Sequence, residues 1–327
     1  MKKKILFLTD VNKKIGIGHI MRSIRTAKKI DRIKNKLLLI LKSKNKINSG
    51  KLFDKIYYIN NFKNIYNLIL IINPDLLIID LPQHNLKFEK KIYLKNINFL
   101  VHDRFLRKKI YSNYLINLNP EIKKKDYKKK LIKNTKLLLG PEYFPINSPK
   151  YKKKISLKIK KVLIFLGGGE NKLRLIKKIF DIIHKSKINK CDIFFISMDK
   201  IDILVKKKLK FMFNLNLYFI SNVKNIYKLI RQTDLSIITS GSIAFESCFF
   251  NVPMILISVA EDQVEMAKSW SKFKVGHYIG KSNNKNFELN LNGAIKNLFS
   301  FKKRFAMSQK QKKFFKLRKN YTSNFIN

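Results

Sequence analysis

Apolar runs punctuate the chain at short intervals, and most end in a polar residue or a glycine. Ile5-Leu6-Phe7-Leu8 reads as a buried strand, and Ile20, Ile24 and Ala27 follow at helical spacing. Further strands are expected at Lys36 to Leu41, Lys55 to Ile59, Leu76 to Ile79, Phe99 to His102 and Tyr114 to Asn117, with a helix over Asn64 to Ile72. An all-apolar run such as Leu76-Leu77-Ile78-Ile79 closing on Asp80 is the mark of a central parallel strand covered on both faces. Its last residue then lies at the ligand edge of the sheet. The alternation predicts a doubly wound α/β domain.

Pro141, Pro145 and Pro149, followed by Lys150 and Lys152 to Lys154, mark a linker, and the pattern then restarts. Val162 to Leu166 is a strand, Gly167-Gly168-Gly169 a turn and Leu173 to Ile183 a helix. Strands follow at Ile193 to Ile196, Leu217 to Ile220, Leu235 to Ile238 and Asn251 to Ile257, with helices over Asn225 to Arg231 and through Ala267 and Trp270. From Phe299 onward a Lys-rich amphipathic helix is expected, its phenylalanines packed on the domain. Two α/β domains result, 1–148 and 149–327, as 327 residues exceed one ordinary core.

Two corners carry candidate chemistry. In Ile15-Gly16-Ile17-Gly18-His19-Ile20-Met21-Arg22 the glycines occupy a strand-to-helix turn and place His19 at a helix start. Glycine there lets a phosphate or sugar approach the backbone, and the positive helix end disfavours protonated imidazole, leaving a neutral base. The same pattern also serves a capping histidine. In Ser240-Gly241-Ser242 a strand meets a helix whose free amides suit an anion, and Glu246 lies one turn on, placed to accept ribose hydroxyls. Taken alone, that stretch reads more simply as a helix cap with a solvated Glu. The triple glycine lacks G-x-G-x-x-G spacing and is no dinucleotide fingerprint.

A net charge of +50 would ordinarily indicate a polyanion partner, but nine of the 71 basic residues are Arg and the Lys are spread through a chain rich in Ile, Asn, Phe and Tyr. That is coding bias more than a selected surface, so no specific nucleic acid is expected, although the lysines suffice for a loose hold on an anionic membrane. Cys191 and Cys248 have neither metal spacing nor a disulfide framework, which suits a reducing compartment. The apolar run after Met1-Lys2-Lys3-Lys4 stops at Leu8, too short for a signal peptide. A cytoplasmic protein is expected. No feature sets an oligomeric state.

The ordered set Gly16-Ile17-Gly18-His19 with Arg22, Ile78-Ile79-Asp80, Asp103, Asn117, Leu139-Gly140-Pro141-Glu142-Tyr143, Phe165-Leu166-Gly167-Gly168, Ser240-Gly241-Ser242, Glu246, Pro253 and Gln263 spans nearly the whole chain. It resembles the UDP-2,4-diacetamido-2,4,6-trideoxy-β-L-altropyranose hydrolases of pseudaminic acid biosynthesis and their spore coat polysaccharide relatives. The resemblance implies a glycosyltransferase-B-like fold of two Rossmann-like domains facing across a cleft, no metal, no cofactor and a UDP-sugar substrate. Carried over, His19 activates water at the anomeric carbon, Ser240 to Ser242 take the diphosphate and Glu246 the ribose. Gly16, Gly18, Arg22, Asp80, Asp103, Tyr143, Gly167, Gly168 and Gln263 complete the substrate contacts. This chain departs from the pattern at Leu81-Pro82, His102 and Asp262, which puts the sugar and the hydrolase activity in question. A glycosyltransferase using His19 on an acceptor hydroxyl is the alternative, and a non-enzymatic polyanion-binding protein the third reading.

Overall fold

The structure is a computed structural model that describes residues 1–11, 16–43, 51–82, 85–107, 109–132, 134–147, 154–167, 173–197, 202–221 and 226–314. These fall into two compact units, one within Met1–Asn147 and the other within Ser148–Lys316.

The first unit is a seven-stranded parallel sheet. Its elements are β1 (Lys3–Asp10), α1 (Gly18–Ala27), β2 (Asn35–Lys42), β3 (Lys55–Ile59), α2 (Ile65–Ile72), β4 (Leu76–Asp80), α3 (Leu86–Leu94), β5 (Phe99–His102), β6 (Tyr114–Asn117) and β7 (Lys136–Leu139). The strand order is β3-β2-β1-β4-β5-β6-β7, so the winding reverses between β1 and β4. Every residue of β4 is buried, as a strand covered on both faces requires. The helix α2 stops at Asn73, which takes the left-handed conformation with φ 46° before Pro74. Asp75 then accepts the amide of Lys4 at 2.7 Å, which fixes where β4 starts beside β1. The resulting register sets Thr9 opposite Asp80 and carries both to the carboxyl edge.

The second unit repeats the plan with β8 (Lys161–Phe165), α4 (Leu173–His184), β9 (Asp192–Ile196), α5 (Ile203–Phe213), β10 (Asn216–Ile220), α6 (Ile226–Gln232), β11 (Leu235–Thr239), α7 (Ser242–Phe249), β12 (Met254–Ser258), α8 (Val264–Lys272), β13 (His277–Lys281), α9 (Phe287–Phe299) and α10 (Phe301–Phe314). Its order is β10-β9-β8-β11-β12-β13, with the reversal between β8 and β11. Asp234 plays the part of Asp75: its Oδ2 accepts the amides of Lys160 at 3.0 Å and Lys161 at 3.1 Å, again just before the strand that flanks the reversal. In doubly wound sheets the ligand crevice opens at that reversal, beyond the carboxyl ends of the strands.

The C-terminal helix differs from expectation. Phe299, Phe301 and Phe305 are exposed, whereas Arg304, Ser308 and Gln311 are buried. Arg304 Nη1 donates to the carbonyls of Leu298 at 2.9 Å and Phe299 at 2.6 Å, and Nη2 to those of Ser156 and Leu157, both at 2.8 Å. Gln311 donates to the carbonyls of Val252 and Val275. The inward face of α10 is thus polar because it caps loose backbone ends, with Phe314 packing on Trp270 and Phe273. No helix among the described residues is long and apolar enough to cross a membrane.

Candidate active site

In the first unit the chain leaves β1 and re-enters helix through Gly16, whose φ of 74° is a backbone conformation that glycine adopts without strain. Ile15, also in that motif, lies outside the described residues. Gly18 is the first residue of α1, and a methyl group on it would meet open space, so sterics do not require glycine there. The N-cap of α1 is Ile17, with no side-chain cap. His19 is therefore not a capping histidine. Its ring turns to β4, where Nδ1 lies 2.7 Å from Asp80 Oδ1.

Arg22, one turn along α1 from His19, completes the group. It donates from Nε to Asp80 Oδ2 and from Nη2 to Asp80 Oδ1, both at 2.6 Å. A fork of this kind is the strong form of the guanidinium–carboxylate pair. Burial by itself pushes the Asp80 carboxyl up, but Arg22, His102 and His19 outweigh that and hold it well below the usual carboxylate range. An ionised carboxylate at this distance favours the hydrogen on Nδ1 of His19, the arrangement in which a neutral ring has its lone pair on Nε2. Arg22 Nη2 also lies 3.3 Å from Nδ1, where two donors meet and make no bond of their own.

Asp80 was expected to touch the sugar. It is 1% exposed and both its oxygens are engaged by His19 and Arg22. His19 is itself 4% exposed, held against the sheet rather than standing free in solvent.

Asp103, just past β5, belongs to a second buried group. It accepts from Tyr127 Oη at 2.6 Å and from Arg107 Nε at 3.3 Å, while Asn117 Nδ2 donates to the Tyr127 oxygen at 2.8 Å. Arg107 also pairs with the buried Glu89 on α3 at 2.8 Å. Burial, with the Asp103 charge beside it, drives the Tyr127 hydroxyl far above its ordinary range, so it stays a donor. Tyr143 is buried in the 3-10 turn Pro141–Tyr143 that follows Gly140. Tyr127, Arg107 and Glu89 were not anticipated, since nothing local in the sequence ties them to Asp103. Thr9 and Asp10 were also missed, although they end β1 as Asp80 ends β4. Both are buried at that edge, and among the described residues Thr9 Oγ1 and Asp10 Oδ1 have no hydrogen-bond partner.

In the second unit Gly167 follows β8 with φ 81°, again in the left-handed region, while Gly168 lies outside the described residues. Ser240 does not cap α7: its Oγ donates to the carbonyl of Gln263 at 2.7 Å, and Gln263 Oε1 in turn accepts the amide of Val259 at 3.0 Å. The N-cap of α7 is Gly241, with no side-chain cap, and Ser242 is the first helical residue. Glu246 is 1% exposed, so it is not a solvated helix residue. Among the described residues no group of three His, Cys, Asp or Glu could hold a metal ion.

Compared with solved structures, MurG of Acinetobacter baumannii superimposes with a TM-score of 0.67 at 12% identity, covering 98% of this chain and 97% of its own. The UDP co-structure of Staphylococcus aureus MnaA gives 0.66 at 12% identity, covering 96% and 93%. The fold is that of the GT-B glycosyltransferases. In sequence, the UDP-2,4-diacetamido-2,4,6-trideoxy-β-L-altropyranose hydrolase of Campylobacter jejuni is 26% identical over 275 residues, 82% of this chain and 95% of its own length. The uncharacterized protein MJ1062 of Methanocaldococcus jannaschii is 24% identical over 294 residues, again 82% of this chain but 58% of that protein, so the chain spans little more than half of it. No family model matches the chain.

Proposed function

We propose that this protein is a nucleotide-sugar hydrolase that splits a UDP-linked acetamido or deoxy sugar into free sugar and UDP, in the making of a surface polysaccharide or a nonulosonic acid such as pseudaminic acid. The observation that carries the reading is the short bond between His19 Nδ1 and Asp80 Oδ1 beside a glycine turn, which leaves Nε2 as a base. In the proposed step Nε2 takes a proton from water as its oxygen bonds to the anomeric carbon. The bond from that carbon to the diphosphate oxygen breaks, and UDP leaves with the electron pair. UDP is a good leaving group, so the demand is for a positioned water, a base and fixed dipoles.

The second unit supplies the nucleotide site in this reading. The diphosphate goes to the uncapped start of α7 at Ser240, Gly241 and Ser242, and the ribose to Glu246. Gly167 and Gly168 give the phosphates access to the backbone, and Gln263 holds Ser240 in place. Gly16 and Gly18 give the sugar room near His19, with Asp103 and Tyr143 bordering it and Arg22 acting through Asp80. Support comes from the ordered motif set, from the C. jejuni hydrolase at 26% identity and from a fold shared with a UDP-bound protein. No resident cofactor enters the step, and the location proposed is the cytoplasm.

The test is incubation of the protein with UDP-sugars and no acceptor, following UDP and free sugar. Release of both supports hydrolysis, and His19→Ala should slow it by about 10²–10⁴-fold. Turnover only on adding an acceptor overturns the hydrolase and favours a glycosyltransferase, a reading supported by the glycosyltransferase neighbours such as spinosyn forosaminyltransferase SpnP, TM-score 0.65.

A further inference from the structure

The outer side of helix α5 carries large apolar side chains. Leu209 and Phe213 face inward and are buried, while Leu204 and Phe211 stand 72% and 91% exposed on the opposite side and Ile203, 66% exposed, lies on the flank beside Leu204. Leu204 and Phe211 are seven residues apart, two turns along a single ridge. Lys207, Lys208 and Lys210, all exposed, lie between and beside them, and the only carboxylate on the segment is Asp202, which caps the helix by accepting the amides of Leu204 and Val205. Water gains nothing from three large apolar side chains presented together, and such a cluster marks a surface that meets a partner.

We infer that α5 is an interfacial helix by which the protein docks on an anionic lipid surface. Apolar anchors at Leu204 and Phe211 match the acyl boundary, and the lysines between them match the phosphates of the headgroups, their stems lying along the apolar ridge. A second copy of the chain is the poorer occupant: a two-fold contact through this ridge would set the Lys207, Lys208 and Lys210 of one copy against the same residues of the other. A soluble polyanion would use the lysines and leave Leu204 and Phe211 idle. This inference is independent of the chemistry proposed for His19.

The test is sedimentation of the full chain with vesicles of phosphatidylcholine alone and of equimolar phosphatidylcholine and phosphatidylglycerol. Binding is expected only to the second. Leu204→Gln/Phe211→Gln keeps the net charge and should weaken it by about tenfold or more, since the anchors no longer leave water. Lys207→Gln/Lys208→Gln should weaken it by roughly tenfold, whereas Lys302→Gln/Lys303→Gln, an equal charge loss at exposed positions of α10, should change it less than about twofold. Phe211→Trp adds a reporter whose emission should shift to shorter wavelength with the mixed vesicles, Trp270 being already buried. Equal losses from the two lysine pairs, or no loss from the Leu204/Phe211 pair, would overturn the inference. Self-association abolished by the Leu204/Phe211 pair with vesicle binding unchanged would also overturn it and assign the ridge to a second copy.

Discussion

Asp80 Oδ1 lies 2.7 Å from His19 Nδ1, and this one contact joins the end of β4 to the first turn of α1. It fixes which imidazole nitrogen keeps the proton. Asp80→Asn, which can present an amide where the carboxylate stood, should lower the rate of the proposed hydrolysis by on the order of 10²-fold or more with little change in KM. The limb of the pH–rate profile that reports the base should move as well. A rate within about threefold of the parent, with an unchanged profile, would show that the contact is structural only.

The same carboxylate makes stability depend on acid. Its pKa is held below the ordinary value in the folded state, chiefly by Arg22, so the native form binds fewer protons than the unfolded chain. That contribution is complete above about pH 4 and fades as pH falls toward the folded value. Thermal midpoints measured from about pH 5 down to pH 2 should decline, and more gently in Asp80→Asn, which has nothing left to protonate there. At neutral pH that variant should already be less stable by about 2–4 kcal/mol, since Arg22 loses its buried partner.

Much of the architecture was legible because parallel strands buried on both faces are written as apolar runs. Leu76–Asp80 and Met254–Ser258 are such strands, and Asp80 lies at the carboxyl edge of the first sheet as expected. The meeting of His19 and Asp80 was legible because one sits beside a glycine turn and the other at a strand end. Tyr127 was invisible because it reaches Asp103 from 24 residues away, beyond β6, out of a Lys-rich stretch with no periodicity of its own. Helix α10 was misread for an instructive reason: spacing shows a face, but not whether that face meets side chains or stranded carbonyls. Arg304 meets four carbonyls.

Arg304 therefore leads to a stability prediction. Arg304→Ala would leave those carbonyls without a donor and should destabilise the second unit by on the order of 3 kcal/mol in urea unfolding. Arg304→Lys should recover little, since an ammonium group cannot reproduce the fork. A loss below about 0.5 kcal/mol in the alanine variant would mean that water replaces the guanidinium.

The two cysteines should be inert in the native state. Burial pushes the Cys191 thiol up to about 11 and the Cys248 thiol well above its usual range, and Cys191 also donates to the carbonyl of Ile159 at 3.0 Å. The thiolate is the reactive form, so a thiol reagent at neutral pH should modify both only after denaturant is added. Rapid labelling of the folded protein at either position would contradict the packing.

At the tip of β4 two neighbouring positions have opposite freedoms. Asp80 is committed on both oxygens and cannot be exchanged without disturbing the base it steers, whereas Pro82, two residues on, is partly open and anchors nothing comparable. In the proposed reaction a lineage could therefore change the sugar it accepts by substitution at Pro82 while His19 and Asp80 stay untouched, so that selectivity and turnover evolve separately.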